Sequence, residues 1–540
     1  MNMSFADMMM RLFNDHLAVL PVLLPGLTAV LMLLIGDRPA EQCLPRLRRI
    51  ALISVGLGLL FALKLAMEAD DGVLRVYRVG DWPAPFGIVL VVDRLSALML
   101  LLTQAVALPV LVYASGGWDS HGRHFHALFQ FQLMGLNGAF VTGDLFNLFV
   151  FFEVLLIASY VLLLHGQGKE RFRVGLQYVA INLAASALFL IGVALIYATV
   201  GTLNMADLAQ RVPQVQGDEA LLLKAAALIL LVVFGVKAAL LPLYLWLPAT
   251  YAAASAPVAA LFAVMTKVGV YSILRVHGVI FGHDAGAAAL TVQPWLLPLA
   301  LGTSALAVLG ALAAHTLPRL VAYLTVASVG TILAALGLFT APAWSAALYY
   351  MAHSTLVIAA LFLLVELVAA QRGDAGERLE PGAPVAQPAL LGLLMLLAAA
   401  SAAGLPPLPG FIGKLMVLQA SSGHEAQAWV WTVVLAVGFL TLIGLARAGS
   451  VLFWSVRPEL AGSGTSAGAS PRLLLATVSL IVAGVFMSAM AGPLKRYTDA
   501  AAEQLGDRRA YVEAVLGSEG VQTTRPYVFP RTPATEGAHP

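Results

Sequence analysis

The chain has 540 residues, 60% of them hydrophobic and 11% charged, with 31 Lys and Arg against 29 Asp and Glu for a formal net charge of +2. A mean hydropathy of +0.87 over that length excludes a soluble globular protein and points to a polytopic membrane protein, with lipid as one partner and no nucleic acid as another. The single cysteine, Cys43, rules out an internal disulfide, a CxxC zinc site and a self-contained iron–sulfur cluster. With no P-loop, HExxH or GxGxxG segment either, no cofactor and no metal are expected, and energy has to come from an ion gradient or a partner.

Met1 to Asn14 is mixed rather than basic, and the first apolar run leads into Arg38 without a small-residue cleavage pattern, so the first helix is expected to stay as an anchor. Apolar runs of about 20 residues, enough to span ~30 Å of hydrocarbon as helix, then recur to the end of the chain. They fall at 17–35, 50–67, 88–113, 127–142, 145–164, 174–199, 221–246, 255–280, 294–314, 318–340, 344–370, 388–419, 427–455 and 472–492, which predicts an all-α protein with about 14 transmembrane helices. Strand-like alternation is missing, so a barrel is not expected. Loop 457–472, with Gly462 to Gly468, reads as a flexible link, and the polar tail from Lys495 to Pro540 ends in an extended, proline-containing stretch. If the amino terminus faces outward, the inside loops hold 14 basic residues and the outside segments 7, which favours both termini outside, although Lys495 and Arg496 argue the other way.

Charged residues inside apolar runs carry the functional signal. An ionised side chain at the bilayer centre costs roughly 2.5–3.5 kcal/mol on insertion scales, so such residues face a protein interior or a wet cavity. Glu153 lies in Phe149-Val-Phe-Phe-Glu153-Val-Leu-Leu, nine residues after Asp144. Lys237 lies deep in the seventh run, thirteen residues or ~20 Å beyond Lys224. Burial disfavours its ammonium form and a nearby carboxylate favours it, so a lysine tuned by Glu153 can load and release a proton; a static buried ion pair is the bland alternative. Lys267 sits in the middle of the eighth run and His353 in the middle of the eleventh, where it is either a hydrogen-bonded core histidine or a proton shuttle. Lys224, a turn from its helix start, is explained by snorkelling, and Glu366 by an interfacial position. The group His121, Arg123, His124 and His126 has metal-like residue types but reads as a solvated loop.

Two runs are interrupted. In the seventh, Pro242 and Pro248 follow Lys237; in the twelfth, GLPPLPGFIGK from Gly404 to Lys414 puts a lysine five positions from Pro409. A proline frees a helix carbonyl, which lipid does not tolerate and a buried wet cavity does. Paired interruptions point to inverted repeats, helices 4–8 and 9–13, with an ion site near the midplane. The segments are then 1–126, repeat one at 127–280, repeat two at 294–455, helix 14 at 472–492 and the tail at 495–540.

Gly143 to Tyr160, the Lys237 segment running into Leu247-Pro248, Thr266 to Tyr271 and Gly404 to Lys414 together resemble the antiporter-like subunits shared by respiratory complex I and the Mrp (Pha, Mnh) multi-subunit cation/proton antiporters, above all the D subunits of the latter. The likeness covers roughly residues 15 to 490. It implies the fourteen helices, the inverted repeats and a hydrated axis in the membrane plane, with Glu153 and Lys237 as a coupled pair, Lys267 continuing the path and Lys414 ending it. Two places depart from the family. An acidic residue and a lysine usually precede the arginine that opens helix ten, where this chain has His315-Thr-Leu-Pro-Arg319, and a lysine usually follows the helix-eleven histidine, where it has Leu356, Val357 and Ile358. The link from Lys267 to Lys414 is therefore expected to run through His353 and water. The resemblance implies a proton-translocating subunit of a hetero-oligomeric Na+ or K+/proton antiporter in a bacterial inner membrane, with other antiporter subunits as partners and no chemical catalysis. The alternatives are a proton-pumping membrane subunit of an NADH:quinone oxidoreductase or membrane hydrogenase, and a scaffold whose buried charges no longer conduct.

Overall fold

A computed structural model describes residues 13–36, 40–457 and 468–517. Arg11, Arg38, the Gly462–Ala467 part of the interhelical link and the proline-containing end of the tail lie outside the described residues. A helix satisfies its own backbone within one segment, which lipid demands, and eleven helices among the described residues are long and apolar enough to cross a membrane.

The chain passes through α1 (Leu20–Ile35) and α2 (Ala40–Ala69), then a two-stranded antiparallel ribbon of β1 (Arg75–Arg78) and β2 (Val89–Val92), and enters α3 (Arg94–Ala114). The helix expected from residue 88 thus begins later. Val89, Val91 and Val92 favour a strand, and Asp93 caps α3 by accepting from Ser96 N at 2.8 Å. Next come α4 (Phe125–Val141), α5 (Leu145–Leu164), α6 (Lys169–Val200), the short α7 (Met205–Arg211), and a broken pair, α8 (Gly217–Ala238) and α9 (Trp246–Ala253). Then follow α10 (Ala256–Ser272), prolonged by a π-helical turn at Ile273–His277, α11 (Gln293–Leu312), α12 (Leu317–Leu336) and α13 (Ala341–Ala369). A second broken pair, α14 (Pro388–Ala403) and α15 (Pro409–Ala420), precedes α16 (Gln427–Phe453) and α17 (Pro471–Ala489).

Both interruptions are local. α8 stops at Ala239, held left-handed at φ +64°, and α14 at Gly404, φ +88°. Pro248 is not a second breaker: it stands in the first turn of α9, where a missing N–H has no helical partner to lose. Pro409 likewise opens α15.

Where the sequence gives only a polar tail from Lys495, the chain folds into α18 (Ala491–Gly506) and α19 (Arg508–Leu516). Apolar residues at helical spacing give these helices one face to bury. Ala501, Ala502, Leu505 and Tyr511 pack inward, and Tyr497 donates its hydroxyl to Arg94 O at 3.1 Å.

The centre of the molecule is α10, α12 and α13, whose apolar stretches are 100%, 89% and 94% buried, against 39% for α2, α6, α11 and α16 at the periphery. Two short backbone ribbons tie helix ends together. Leu145 N donates to Leu203 O at 2.9 Å and Met205 N to Gly143 O at 2.8 Å; Leu317 N donates to Glu377 O and Leu379 N to His315 O, both at 2.9 Å. The two patterns match atom for atom.

One ion pair is buried at the far end of α10. Arg275 Nη2 reaches Asp93 Oδ1 at 2.8 Å and Nη1 reaches Oδ2, with side chains 2% and 4% exposed, while Nε donates to Tyr271 Oη at 3.1 Å. The ring of Tyr511 closes over it, 5.8 Å from Cζ. Removing one partner of such a pair leaves a bare buried charge, at a cost of roughly 3–5 kcal/mol. Arg275→Ala is therefore expected to lower the melting temperature of the purified protein sharply, and an unchanged melting curve would mean that the pair does not hold α3, α10 and α19 together.

Candidate functional site

Glu153 and Lys237 face each other across α6 without forming an ion pair. Glu153, half-buried on α5, accepts a short hydrogen bond from Ser186 Oγ, and Lys237, 6% exposed at the end of α8, donates from Nζ to Asn182 Oδ1 at 3.0 Å. Asn182 and Ser186 are one turn apart on α6 and so share a face. Asn182 Nδ2 donates back to Tyr178 O at 2.9 Å, which aims the amide oxygen at the amine. The Phe152 ring lies 5.9 Å from Lys237 Nζ. These two α6 residues escaped the sequence reading. The signal was there: an amide and a hydroxyl four residues apart in an otherwise apolar run.

Lys267 stands on α10, pressed against α8. A Cβ on Gly269 would meet Ala238 N at 2.4 Å, so this contact requires glycine, and Ala238 is the residue after Lys237. Lys267 is fully buried, and its Nζ donates to the neighbouring Thr266 Oγ1 at 3.3 Å.

His353 and Lys414 meet in the second half. His353, 1% exposed on α13, has an Nδ1 without a hydrogen-bond partner. Lys414, 8% exposed on α15, points inward rather than to lipid and donates to Ala403 O at 2.7 Å and Ala402 O at 3.3 Å, carbonyls at the broken end of α14. Both side chains line a cavity of about 20 Å³ with Ser328, Tyr350, Ser354 and Thr441, room for one water. Buried hydroxyls on α12, Thr325, Ser328 and Thr331, lie on the helix packed between α11 and α13, and Thr331 Oγ1 is 3.1 Å from Ser304 Oγ. Sequence reading did not single these out, because threonine and serine are ordinary in membrane helices.

Among the described residues, none of Lys237, Lys267 and Lys414 has a carboxylate in ion-pair range. Lys224 is half-buried on α8, away from this line. The loop with His121, Arg123, His124 and His126 is not simply solvated: Asp119 is buried, accepts from Arg48 Nε at 2.7 Å and lies 2.9 Å from His126 Nε2. No group of three or more His, Cys, Asp or Glu side chains placed to hold a metal ion occurs among the described residues.

Residues 142–444 match the family model described as "NADH:quinone oxidoreductase/Mrp antiporter, TM". The chain is 43% identical to the D subunit of a probable K(+)/H(+) antiporter of Rhizobium meliloti, over 93% of this chain and 98% of that one. It is 37% identical to the D subunit of an Na(+)/H(+) antiporter of Alkalihalophilus pseudofirmus, over 93% and 99%. A chain of the Mrp complex from Dietzia sp. DQ12-45-1b superposes with a TM-score of 0.81 at 27% identity, covering 93% of this chain and 99% of that chain. The chain belongs to the NADH:quinone oxidoreductase/Mrp antiporter transmembrane family.

The tightest point of the site is Gly410. A Cβ there would lie 1.9 Å from Ser401 O and 2.8 Å from His353 Nε2. Gly410→Ala must push α15 away from α14 and α13, an overpacking cost of about 1–3 kcal/mol or more. Gly449→Ala on α16 meets nothing within 4 Å and serves as the control. The yield of folded protein from membranes should fall for Gly410→Ala alone, and equal yields would show that the α14–α15 break is looser than described.

Proposed function

We propose that this chain is the proton-translocating subunit of a hetero-oligomeric monovalent cation/proton antiporter in a bacterial inner membrane, driven by the proton motive force. Protons pass along Glu153, Lys237, Lys267, His353 and Lys414, and their passage is exchanged for Na+ or K+. No covalent bond is made or broken, so the chain acts as a transporter rather than an enzyme. Its partners are the other antiporter subunits and lipid.

One observation carries the reading: among the described residues three buried amines have no carboxylate in ion-pair range, while the deep guanidinium of Arg275 is held by Asp93. A guanidinium does not release its proton in the working range, and its pair is static. An amine held only by an amide, a hydroxyl or carbonyls can give its proton up without leaving a bare carboxylate behind. Glu153 stands near Lys237 without direct contact, each held by a different residue of α6, Ser186 and Asn182.

The full span count under this reading is fourteen: α1, α4 and the α14–α15 pair join the eleven longer helices. The matching ribbons at Gly143–Met205 and His315–Leu379 support inverted repeats over helices 4–8 and 9–13, since they join corresponding helix ends. Counted from them, Thr325 stands where Glu153 stands in the first repeat. Both termini are placed outside. The shared family description keeps a second reading open, a proton-pumping subunit of a quinone oxidoreductase; the names of the relatives favour the antiporter. The subunits that co-purify with the chain separate the two.

Exchange in everted vesicles tests the proposal. Lys237→Ala is expected to abolish Na+- or K+-dependent proton exchange with the protein still inserted, and Lys237→Arg not to restore it. Glu153→Gln should lose most activity, and Glu153→Asp should keep part with a shifted pH optimum. Asn182→Ala should fall between. Native exchange by Lys237→Ala would sink the relay.

A further inference from the structure

A cavity of about 360 Å³ opens where the start of α2, the end of α3 and the start of α17 meet, on the face that carries the basic loops. Arg48, Arg49 and Arg472 stand around it, with Leu52, Val112 and Ser115 in the wall. Among the described residues no Asp or Glu lines it. The three arginines are not equivalent. Arg48 gives Nε and Nη2 to the buried Asp119, each at 2.7 Å, so its charge is answered inside the protein. Arg49 Nε donates to Pro45 O at 3.3 Å, and Arg472 Nη1 to Ser115 O at 2.9 Å. Carbonyls hold these two in place without neutralising them, and neither has a carboxylate in ion-pair range among the described residues. Two positive charges at one opening repel each other unless an anion comes between them.

Each of these two arginines heads an exposed apolar stripe that runs into the membrane. On α2, Ile53, Leu57 and Leu60 follow Arg49 at steps of four, four and three. On α17, Leu475, Val482 and Phe486 follow Arg472 at steps of three, seven and four. α3 packs against both helices, and its half-buried Leu101, Ala105, Leu108 and Val112 recur at helical spacing as the floor. The fit at the top is close, since a Cβ on Gly116, just past the end of α3, would meet Leu473 of α17 at 2.7 Å. Cations at the interface above a continuous apolar track match a phosphate with acyl chains beneath it. A free anion would satisfy the arginines and leave the track bare.

We propose that the groove walled by α2, α3 and α17 binds one anionic phospholipid, its phosphate held by Arg49 and Arg472 and an acyl chain laid along the floor on α3. The bound lipid joins α17, from the end of the chain, to the two helices near its beginning. The inference goes beyond the transport reading and does not rest on it.

The assembled complex is delipidated in detergent and reconstituted with phosphatidylglycerol or phosphatidylcholine carrying a photoactivatable acyl chain, and the labelled peptides are mapped by mass spectrometry. Phosphatidylglycerol is expected to label the peptides around Leu52, Leu108 and Val112 in clear excess over phosphatidylcholine. Arg49→Gln combined with Arg472→Gln should cut that labelling about tenfold or more, as the loss of two interfacial charges implies. Lysine at both positions should keep most of it, and Arg46→Gln, an exposed charge of α2 outside the wall, should leave it unchanged. Equal labelling by the two lipids on the unaltered complex overturns the proposal, whatever the variants do. Undiminished labelling in the double glutamine variant, or an equal loss in Arg46→Gln, overturns it as well. Displacement of the lipid by excess inorganic phosphate assigns the arginines to a small anion instead. Absent labelling, with Leu52→Cys in a Cys43→Ser background cross-linking to another subunit, assigns the groove to a protein partner. Both results overturn the lipid site.

Discussion

An amine buried in a membrane protein without a counter-ion has to be solvated by whatever dipoles the fold can turn toward it, and this need shapes both halves of the molecule. Lys237 is served by an amide on α6, Lys267 by a hydroxyl on its own helix, and Lys414 by two carbonyls at the end of α14. In the last case the break and the lysine form one device. An unbroken helix would spend Ala402 O and Ala403 O on its own ladder, and the left-handed turn at Gly404 releases them to the amine. At the first break the freed groups go elsewhere: Trp246 Nε1 donates to Val236 O at 3.1 Å, and Leu241 N donates to Thr303 Oγ1 at 2.8 Å. The amine there depends on α6 instead.

The two breaks are therefore served by different chemistry. The ribbons that tie helix ends repeat with the same hydrogen bonds. The side chains do not repeat. The first half supplies a carboxylate, an amide and a hydroxyl around Lys237; the second has, among the described residues, a histidine with an unpartnered ring nitrogen and a water-sized cavity beside Lys414. A carboxylate held by Ser186 and an amide at Lys237 share one face of α6 beside the first amine. Hydroxyls and a cavity with room for one water lie beside the second.

Much of this was legible in the chain. Apolar runs and prolines announced the helices and their interruptions, because lipid leaves few other ways to satisfy a backbone, and the lone charges in those runs announced which side chains face inward. What was not legible depended on pairing between distant segments. Val89 to Val92 reads as the start of a helix until Arg75–Arg78 comes alongside. Arg275 counts as a loop cation until Asp93 is found beneath it, and the tail reads as polar because half of α18 and α19 is polar. Asn182 and Ser186 carried a signal that was passed over, being uncharged.

The central claim is that a single line of titrating amines runs from the first half into the second, so that the far end matters as much as the near one. The direct measurement compares Lys414→Ala with Lys224→Ala for cation-dependent proton exchange in everted vesicles, at matched amounts of assembled complex. The account predicts that Lys414→Ala stops exchange, whereas Lys224→Ala, a half-buried lysine off the line, is much milder. Exchange that survives Lys414→Ala as well as it survives Lys224→Ala would contradict it.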